Sequence, residues 1–235
     1  MKMGLTEECK FLMCSLEKSF SHGQTEVLSV KIEYPKFELP GCNRAETVIN
    51  RCVWGQVERF FHDASTMLYR QASCALRNSN ANQKQPDPPP FLPYETMMQY
   101  HVTYMQDCYI SLYRDCYEFT GGAHGRTLRR SDTWDIRTGR ITQICEFFKP
   151  KTNYRKFLLD EILYQADENM RNCPGIYFEN YAKLISRYFS PNRFYLTNDA
   201  VAFYFQQYEI APYSSGLVTF SIPFQKLNCP PGGSV

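Results

Sequence analysis

Residues 94–119, "YETMMQYHVTYMQDCYISLYRDCYEF", decide the fold because their side chains repeat with a period of two. Successive side chains of a β-strand point to opposite faces of its sheet, so this period indicates strand. Polar Gln106 and Asp107 interrupt the pattern and predict two strands joined as a hairpin. One face of the second strand carries Tyr109, Tyr113, Tyr117 and Phe119, and the other carries Cys108, Ile110, Leu112 and Cys116. Both faces are largely apolar, which indicates a central strand covered by helices.

A strand and a helical region are predicted before this hairpin. Residues 25–34 alternate apolar and polar side chains, and Pro35 is expected to end that strand. Apolar residues over 48–75 then recur at intervals of three and four, which predicts one long amphipathic helix or two joined ones. Asn43 with Glu46 three positions later fits a capping box at the helix start.

Strands and helices are also predicted after the hairpin. Residues 127–142 indicate a strand with a turn at Thr138 and Gly139, and helices follow over 154–170 and 178–188. The chain then returns to strands at "RFYLT" (193–197), "AVAFYFQQY" (200–208) and "LVTFSIPF" (217–224). Hairpins in place of regular crossovers predict an α+β fold with antiparallel sheets packed against helices.

Five prolines between positions 86 and 93 suggest where the chain divides. They fix the backbone and remove amide donors, so this segment is expected to connect two parts. We predict a small N-terminal α+β region over residues 1–85, with a strand and a long helix, and a Pro-rich connector over 86–93. A C-terminal α+β domain over 94–235 is predicted to contain a hairpin, a strand, two helices and further strands.

Net charge and hydropathy limit which partners the protein can bind and in which compartment it is expected. The net charge is only +2, from 26 basic and 24 acidic residues, so the chain has no strong positive potential to attract nucleic acid. Nucleic-acid binding is therefore disfavoured. No segment reaches the roughly 20 apolar residues that cross a bilayer. The N-terminal segment has no apolar run as long as that of a secretion signal, because acidic Glu7 and Glu8 interrupt it. The chain as it stands is expected to be cytoplasmic, and exported if a leader has been removed.

The ten cysteines are expected to be mostly reduced residues of the core. Cys108 and Cys116 lie on one predicted strand, where eight residues at ~3.3 Å each keep them too far apart for a disulfide. The sequence has no C-x-x-C pair and its four histidines are widely spaced, so no metal site and no cofactor are predicted.

The segment "TGGAHG" (120–125) is the first candidate for a functional site. Gly121, Gly122 and Gly125 permit positive φ and close backbone approach, as a tight connection between strands requires. A strand pattern follows instead of a helix N-terminus, which argues against a phosphate cradle. His124 could serve as a general base, although nothing in the sequence places a nucleophile or an orienting carboxylate beside it.

The segment "YEIAPYSSG" (208–216) is the second candidate. Tyr208, Glu209 and Tyr213 follow an aromatic strand. Glu209 is expected to accept hydrogen bonds from nearby backbone donors, as acidic residues in tight loops commonly do. If Glu209 faces His124, the two residues would instead form a paired polar site.

Several segments in this order resemble the domain of unknown function in RsiV-type anti-sigma factors and PdaC-type peptidoglycan deacetylases. They are "TGGAHG", "DIRTGRIT" (135–142), "FYLTNDAVAFYFQQYEIAPYSSG" (194–216) and "VTFSIPF" (218–224). The resemblance covers roughly 94–227, and "YPKFELPGCNRAETVINRCV" (34–53) is similar to the small domain that commonly precedes it. In RsiV-type proteins this region is a receptor that binds lysozyme, and in the deacetylases it accompanies a separate catalytic domain.

The resemblance implies a non-catalytic recognition module for a protein of the lysozyme type or a peptidoglycan fragment. The positions expected to bind are Gly121, Gly122, His124, Gly125, Tyr208, Glu209 and Tyr213. The alternative is a small hydrolase that uses His124 and Glu209 as acid and base. A self-associating structural domain is a third interpretation.

Overall fold

The protein has an α+β fold, as predicted. A computed structural model describes residues 9–81 and 90–232, which form a six-stranded sheet, a three-stranded sheet and helices. The chain forms two compact units. The first contains the described residues up to Tyr100 together with Arg114–Thr127, and the second contains His101–Tyr113 together with the described residues from Leu128 onward.

The larger sheet contains both strands of the predicted hairpin. Its strands, in spatial order, are β1 (Lys10–His22), β2 (Thr25–Glu38), β3 (Tyr94–Gln106), β4 (Tyr109–Phe119), β5 (Arg126–Asp135) and β6 (Arg140–Ile141). Strand β1 pairs with β2 in the antiparallel direction, whereas β2 pairs with β3 in the parallel direction. The parallel pair departs from the predicted antiparallel pattern, because a long connection separates its two strands. Residues 86–89 of the predicted connector lie outside the described residues.

The first two strands extend beyond the sequence prediction. No strand was predicted at β1, which pairs with β2 from Lys10 opposite Glu38 to His22 opposite Thr25. The prediction that Pro35 ends β2 is wrong, since the strand continues to Glu38. Proline fixes φ at a value that extended backbone accepts, so here it removes one amide donor without ending the strand.

The helical region of the first unit consists of two joined helices, one of the two predicted alternatives. Helix α1 (Asn43–Asp63) continues through a π-helical turn (Ala64–Leu68) into helix α2 (Tyr69–Ala81). Both helices contact β2. The buried side chains of α1 are Ala45, Ile49, Val53 and Val57. This apolar stripe explains the helical period in the sequence.

The predicted capping box at the start of α1 is wrong. The residue before the helix is Cys42, and its side chain makes no capping hydrogen bond. Glu46 Oε2 instead accepts a hydrogen bond from the Leu39 backbone N–H at 2.7 Å. Glu46 therefore fixes the preceding turn and does not close a box with Asn43.

A tight turn joins β3 to β4, as predicted. Asp107 and Cys108 have φ values of 52° and 65°, the left-handed conformation that two-residue hairpin turns require. Tyr104 donates a hydrogen bond from its hydroxyl to Asp107 Oδ2 at 2.6 Å. Burial raises the pKa of Tyr104, and this hydrogen bond raises it further.

The second unit contains the remaining predicted helices and strands. They are α3 (Tyr154–Asn172), α4 (Tyr181–Tyr188), β7 (Phe194–Leu196), β8 (Ala200–Tyr204) and β9 (Thr219–Pro223). Strand β8 lies between β7 and β9, and both pairings are antiparallel. The apolar face of α3 shares one core with Phe203, Phe205 and Phe220.

All ten cysteines are free thiols. The prediction that they belong mainly to the core is wrong, because each is exposed or only partly buried. Cys108 lies on the hairpin turn, and Cys74 lies on an exposed part of α2. Over residues 9–81 and 90–232, no cluster of three His, Cys, Asp or Glu side chains is placed to hold a metal. The helices within these ranges are too short or too polar to span a membrane.

Candidate functional site

The glycine loop (Thr120–Gly125) lies in the first unit and contains three glycines. Gly121 and Gly122 have φ values of 88° and 97°, which side chains disfavour even where space is open. Gly125 differs from these two, since a Cβ at this position would lie 2.4 Å from the Tyr117 ring, which would then have to move. Backbone conformation and close ring packing together determine the path of the loop.

His124 occupies an exposed position on the same loop. Its Nδ1 lies 3.2 Å from the Gly125 carbonyl oxygen. A carbonyl oxygen only accepts, so this hydrogen bond places a proton on Nδ1. The contact orients the imidazole at the surface of the first unit.

We predict that Gly122→Ala lowers the free energy of unfolding by about 1–2 kcal/mol, because alanine is strained at this positive φ. Chemical denaturation monitored by circular dichroism would measure the change. Gly55→Ala is the matched control, because Gly55 lies within α1 and a Cβ there meets no atom within 4 Å. Alanine favours the helix more than glycine does, so Gly55→Ala should raise the free energy of unfolding. Equal destabilisation by both substitutions would contradict the conformational argument.

The tyrosine loop (Gln206–Gly216) follows β8 in the second unit, and Glu209 stabilises it. Arg193 Nη1 donates to both carboxylate oxygens of Glu209, at 2.8 and 2.7 Å. The Gln206 backbone N–H donates to Glu209 Oε2 at 2.8 Å. This last contact confirms the expectation that Glu209 accepts from a nearby backbone donor. The side chains of Arg193 and Glu209 are 33% and 14% exposed, so the ion pair is partly shielded from solvent.

Two tyrosine rings lie together on this loop. Tyr208 and Tyr213 have ring centroids 5.9 Å apart and an interplanar angle of 32°. Tyr208 is 52% exposed and has a φ of 65°, a left-handed conformation that is uncommon for an aromatic residue. The backbone around Glu209 therefore holds an aromatic pair at the surface.

Gln206 fixes the first residue of the tyrosine loop to β5. Its side chain accepts from the Arg129 backbone N–H at 2.9 Å and donates to the Arg129 carbonyl at 2.7 Å. The Arg129 guanidinium lies 3.8 Å from the centre of the Tyr113 ring, within cation–π distance. Burial raises the pKa of the neighbouring Tyr204, and the hydrogen bond with Ser131 partly offsets that increase.

The predicted site residues fall into two groups. Gly121, Gly122, His124 and Gly125 belong to the first unit, and Tyr208, Glu209 and Tyr213 belong to the second. Within each unit the structure brings its group together on a single loop. Sequence reasoning missed Arg193, Gln206 and the role of Arg129, which together hold the tyrosine loop. The one available signal was Gln206, the first polar residue after the apolar run 200–205.

The four aromatic side chains on the predicted face of β4 are each partly buried. The Tyr109 ring contacts Phe147 with centroids 5.6 Å apart, and the Tyr117 ring lies against Gly125. Tyr113 lies beneath Arg129. The tyrosine loop, which contains the exposed Tyr208, is therefore a better candidate for a ligand surface than this face of β4.

Two segments match known protein families. Residues 146–225 match the family described as a protein of unknown function, DUF3298, and residues 21–127 match the family described as Deacetylase PdaC. The first segment contains the tyrosine loop, and the second contains the glycine loop. No curated protein matches the chain.

Two bacterial crystal structures share the fold. A DUF3298 family member from Bacteroides fragilis has a TM-score of 0.70 at 16% identity, over 95% of both chains. A DUF3298 family protein from Pseudomonas aeruginosa PAO1 has a TM-score of 0.55 at 20% identity, over 93% of this chain and 91% of the other. The family matches and these structures support a DUF3298/PdaC-like domain in this chain.

Proposed function

We propose that the protein is a non-catalytic recognition module that binds a protein of the lysozyme type or a cell-wall fragment. The observation that carries this proposal is the Tyr208–Tyr213 pair, in which Tyr208 is exposed and Tyr213 is partly buried, on the loop held by the ion pair between Glu209 and Arg193. The glycine loop with His124 is proposed as a second contact surface.

Tyrosine pairs suit recognition because each ring offers a large amphipathic area with few rotatable bonds. Gln206 and Glu209 fix the backbone on either side of Tyr208 before any ligand arrives. A surface that is ordered beforehand loses less conformational entropy on binding. The loop therefore has the rigidity that a binding site needs.

The resemblance to RsiV-type proteins and peptidoglycan deacetylases motivates a ligand connected with the bacterial cell wall. One of the two matching families is described as Deacetylase PdaC, which is compatible with this choice. Peptidoglycan and the enzymes that cleave it are thus the first ligands to test.

The test is binding of purified lysozyme and of soluble muropeptides, measured by isothermal titration calorimetry. We expect the double variant Tyr208→Ala/Tyr213→Ala to bind at least tenfold more weakly, a loss of about 1.4 kcal/mol. Tyr164→Ala is the control, because Tyr164 is a 60% exposed tyrosine on α3. Absence of binding by the unmodified protein to every ligand tested would contradict the proposal.

The rival function is hydrolysis with His124 and Glu209 as acid and base. Glu209 accepts three hydrogen bonds, two of them from Arg193, which gives this carboxylate a structural task. We therefore expect no turnover of muropeptides by the unmodified protein, by His124→Asn or by Glu209→Gln. Turnover by the unmodified protein that disappears in His124→Asn, with ligand binding retained, would favour the hydrolase.

A further inference from the structure

Strand β1 forms one edge of the six-stranded sheet. Its only strand neighbour in the described part of the chain is β2, so one row of its backbone amide and carbonyl groups faces outward. Three successive apolar residues on this strand are exposed: Phe11 by 41%, Leu12 by 66% and Met13 by 44%. An edge of this length with apolar side chains is a template for pairing with another strand.

Charged side chains usually protect such edges, but two of those on β1 contact β2 instead. Lys10 Nζ lies 3.1 Å from Glu38 Oε2. Glu17 Oε1 lies 3.6 Å from Lys31 Nζ. A register shift between Phe20 and Ser21 disrupts the pairing only near the end of the strand. The segment from Leu12 to Phe20 therefore remains regular.

The sequence of β1 is complementary to itself in one antiparallel register. A two-fold axis perpendicular to the sheet pairs the strand with its own copy and keeps matching faces together. With this axis at Leu16, the midpoint of Lys10–His22, the whole strand can pair. Leu16 then lies opposite Leu16 of the second copy, and Leu12 lies opposite Phe20 of that copy.

Neighbouring registers are less favourable. An axis at Cys14 places Lys10 opposite Lys18 of the other copy, and like charges directly opposite each other destabilise a sheet. An axis at Ser15 places two large apolar side chains, Leu12 and Met13, opposite Lys18 and Glu17, whereas with the axis at Leu16 the only apolar residue opposite a charged one is Cys14, opposite Lys18. The net charge of +2 opposes self-association only weakly.

We propose that β1 is a dimerisation surface, on which β1 of a second copy pairs in the antiparallel direction with Leu16 at the two-fold axis. The pairing extends the sheet across the dimer. It satisfies outward backbone groups and covers Leu12, Leu16 and Phe20 with apolar partners.

The experiment is sedimentation equilibrium of the full chain under reducing conditions. We expect a concentration-dependent dimer whose dissociation constant increases at least tenfold in Leu16→Lys and in Leu16→Glu, since each places like charges opposite each other. Ile141→Lys, which alters a 46% exposed residue on edge strand β6, should leave the dimer unchanged. A monomer at all concentrations, or a dimer that persists in both Leu16 variants, overturns the proposal.

Mixing the two charged variants separates an interface effect from a folding defect. Leu16→Lys and Leu16→Glu chains should form a heterodimer, because opposite charges then lie across the axis. Failure of the mixture to dimerise, with circular dichroism showing both chains folded, contradicts the proposed pairing. A complex of the unmodified chain with another protein but never with itself would assign the edge to a different partner.

Disulfide trapping tests the register. In Leu16→Cys the two new thiols lie opposite each other and should reduce glutathione disulfide to two glutathione molecules as they join. The native Cys14 residues lie four positions apart across the dimer, ~13 Å at ~3.3 Å per residue, which is beyond bridging distance. Peptide mapping that finds Cys14 joined to Cys14 instead would overturn the register.

Discussion

Replacement of Phe205 by alanine is expected to lower the free energy of unfolding by about 3–5 kcal/mol. The Phe205 side chain is 1% exposed and meets Phe220 edge to face, with ring centroids 5.8 Å apart. Its backbone N–H donates to the Val218 carbonyl at 2.9 Å, so the residue also fixes the strand end before the tyrosine loop. Removing the ring leaves a cavity that this close-packed core can fill only in part.

Denaturant unfolding followed by circular dichroism measures this loss. Tyr164→Ala is the control, because it removes an aromatic ring that is 60% exposed, and we expect a change within ~0.5 kcal/mol. Comparable losses in the two variants would show that Phe205 does not have the packing described. Phe205→Leu should recover most of the stability, since it keeps much of the apolar volume.

Ser111→Ala is expected to destabilise the second unit by about 2–6 kcal/mol, because two buried polar groups lose their partner and each costs about 1–3 kcal/mol. Ser111 is fully buried on β4. Its hydroxyl lies 2.7 Å from Thr133 Oγ1 and accepts from the Leu196 backbone N–H at 2.9 Å. A single hydroxyl thus joins β4 to β5 and to β7.

Thermal and denaturant unfolding of this variant can be compared with those of Ser221→Ala. Ser221 is an exposed serine on β9, so its hydroxyl has access to water and its loss should change stability by less than ~0.5 kcal/mol. Hydrogen exchange gives a second measurement, because the Leu196 amide should lose protection in Ser111→Ala. Retained protection and unchanged stability would contradict a structural role for this hydroxyl.

Much of the fold could be predicted because the buried residues of a strand or helix are apolar and recur with that element's period in the sequence. Strand β3 is buried on alternate residues from Tyr94 to Tyr100, and α1 buries one residue in four over most of its length. Strand β1 leaves little such record, since it lies at a sheet edge and most of its side chains are exposed. The parallel pairing of β2 with β3 was not predicted, because local periodicity does not specify strand direction.

The candidate site could be predicted only where the cause is local. Gly121 and Gly122 were recognisable because a positive φ selects glycine at the position itself. The expected local contact of Glu209 is made with Gln206, three residues away. The hydrogen bonds of Glu209 with Arg193 and of Gln206 with Arg129 join residues 16 and 77 positions apart. Such contacts depend on the tertiary structure and have no local pattern in the sequence.

The π-helical turn at Ala64–Leu68 keeps the helical region of the first unit in phase with β2. Four residues of an α-helix rotate ~400°, so a stripe with one buried residue in four drifts ~40° around the axis at each step. A π turn contains more residues per revolution and reverses part of this drift. The π turn therefore allows α1 to continue directly into α2 while both helices contact the same strand.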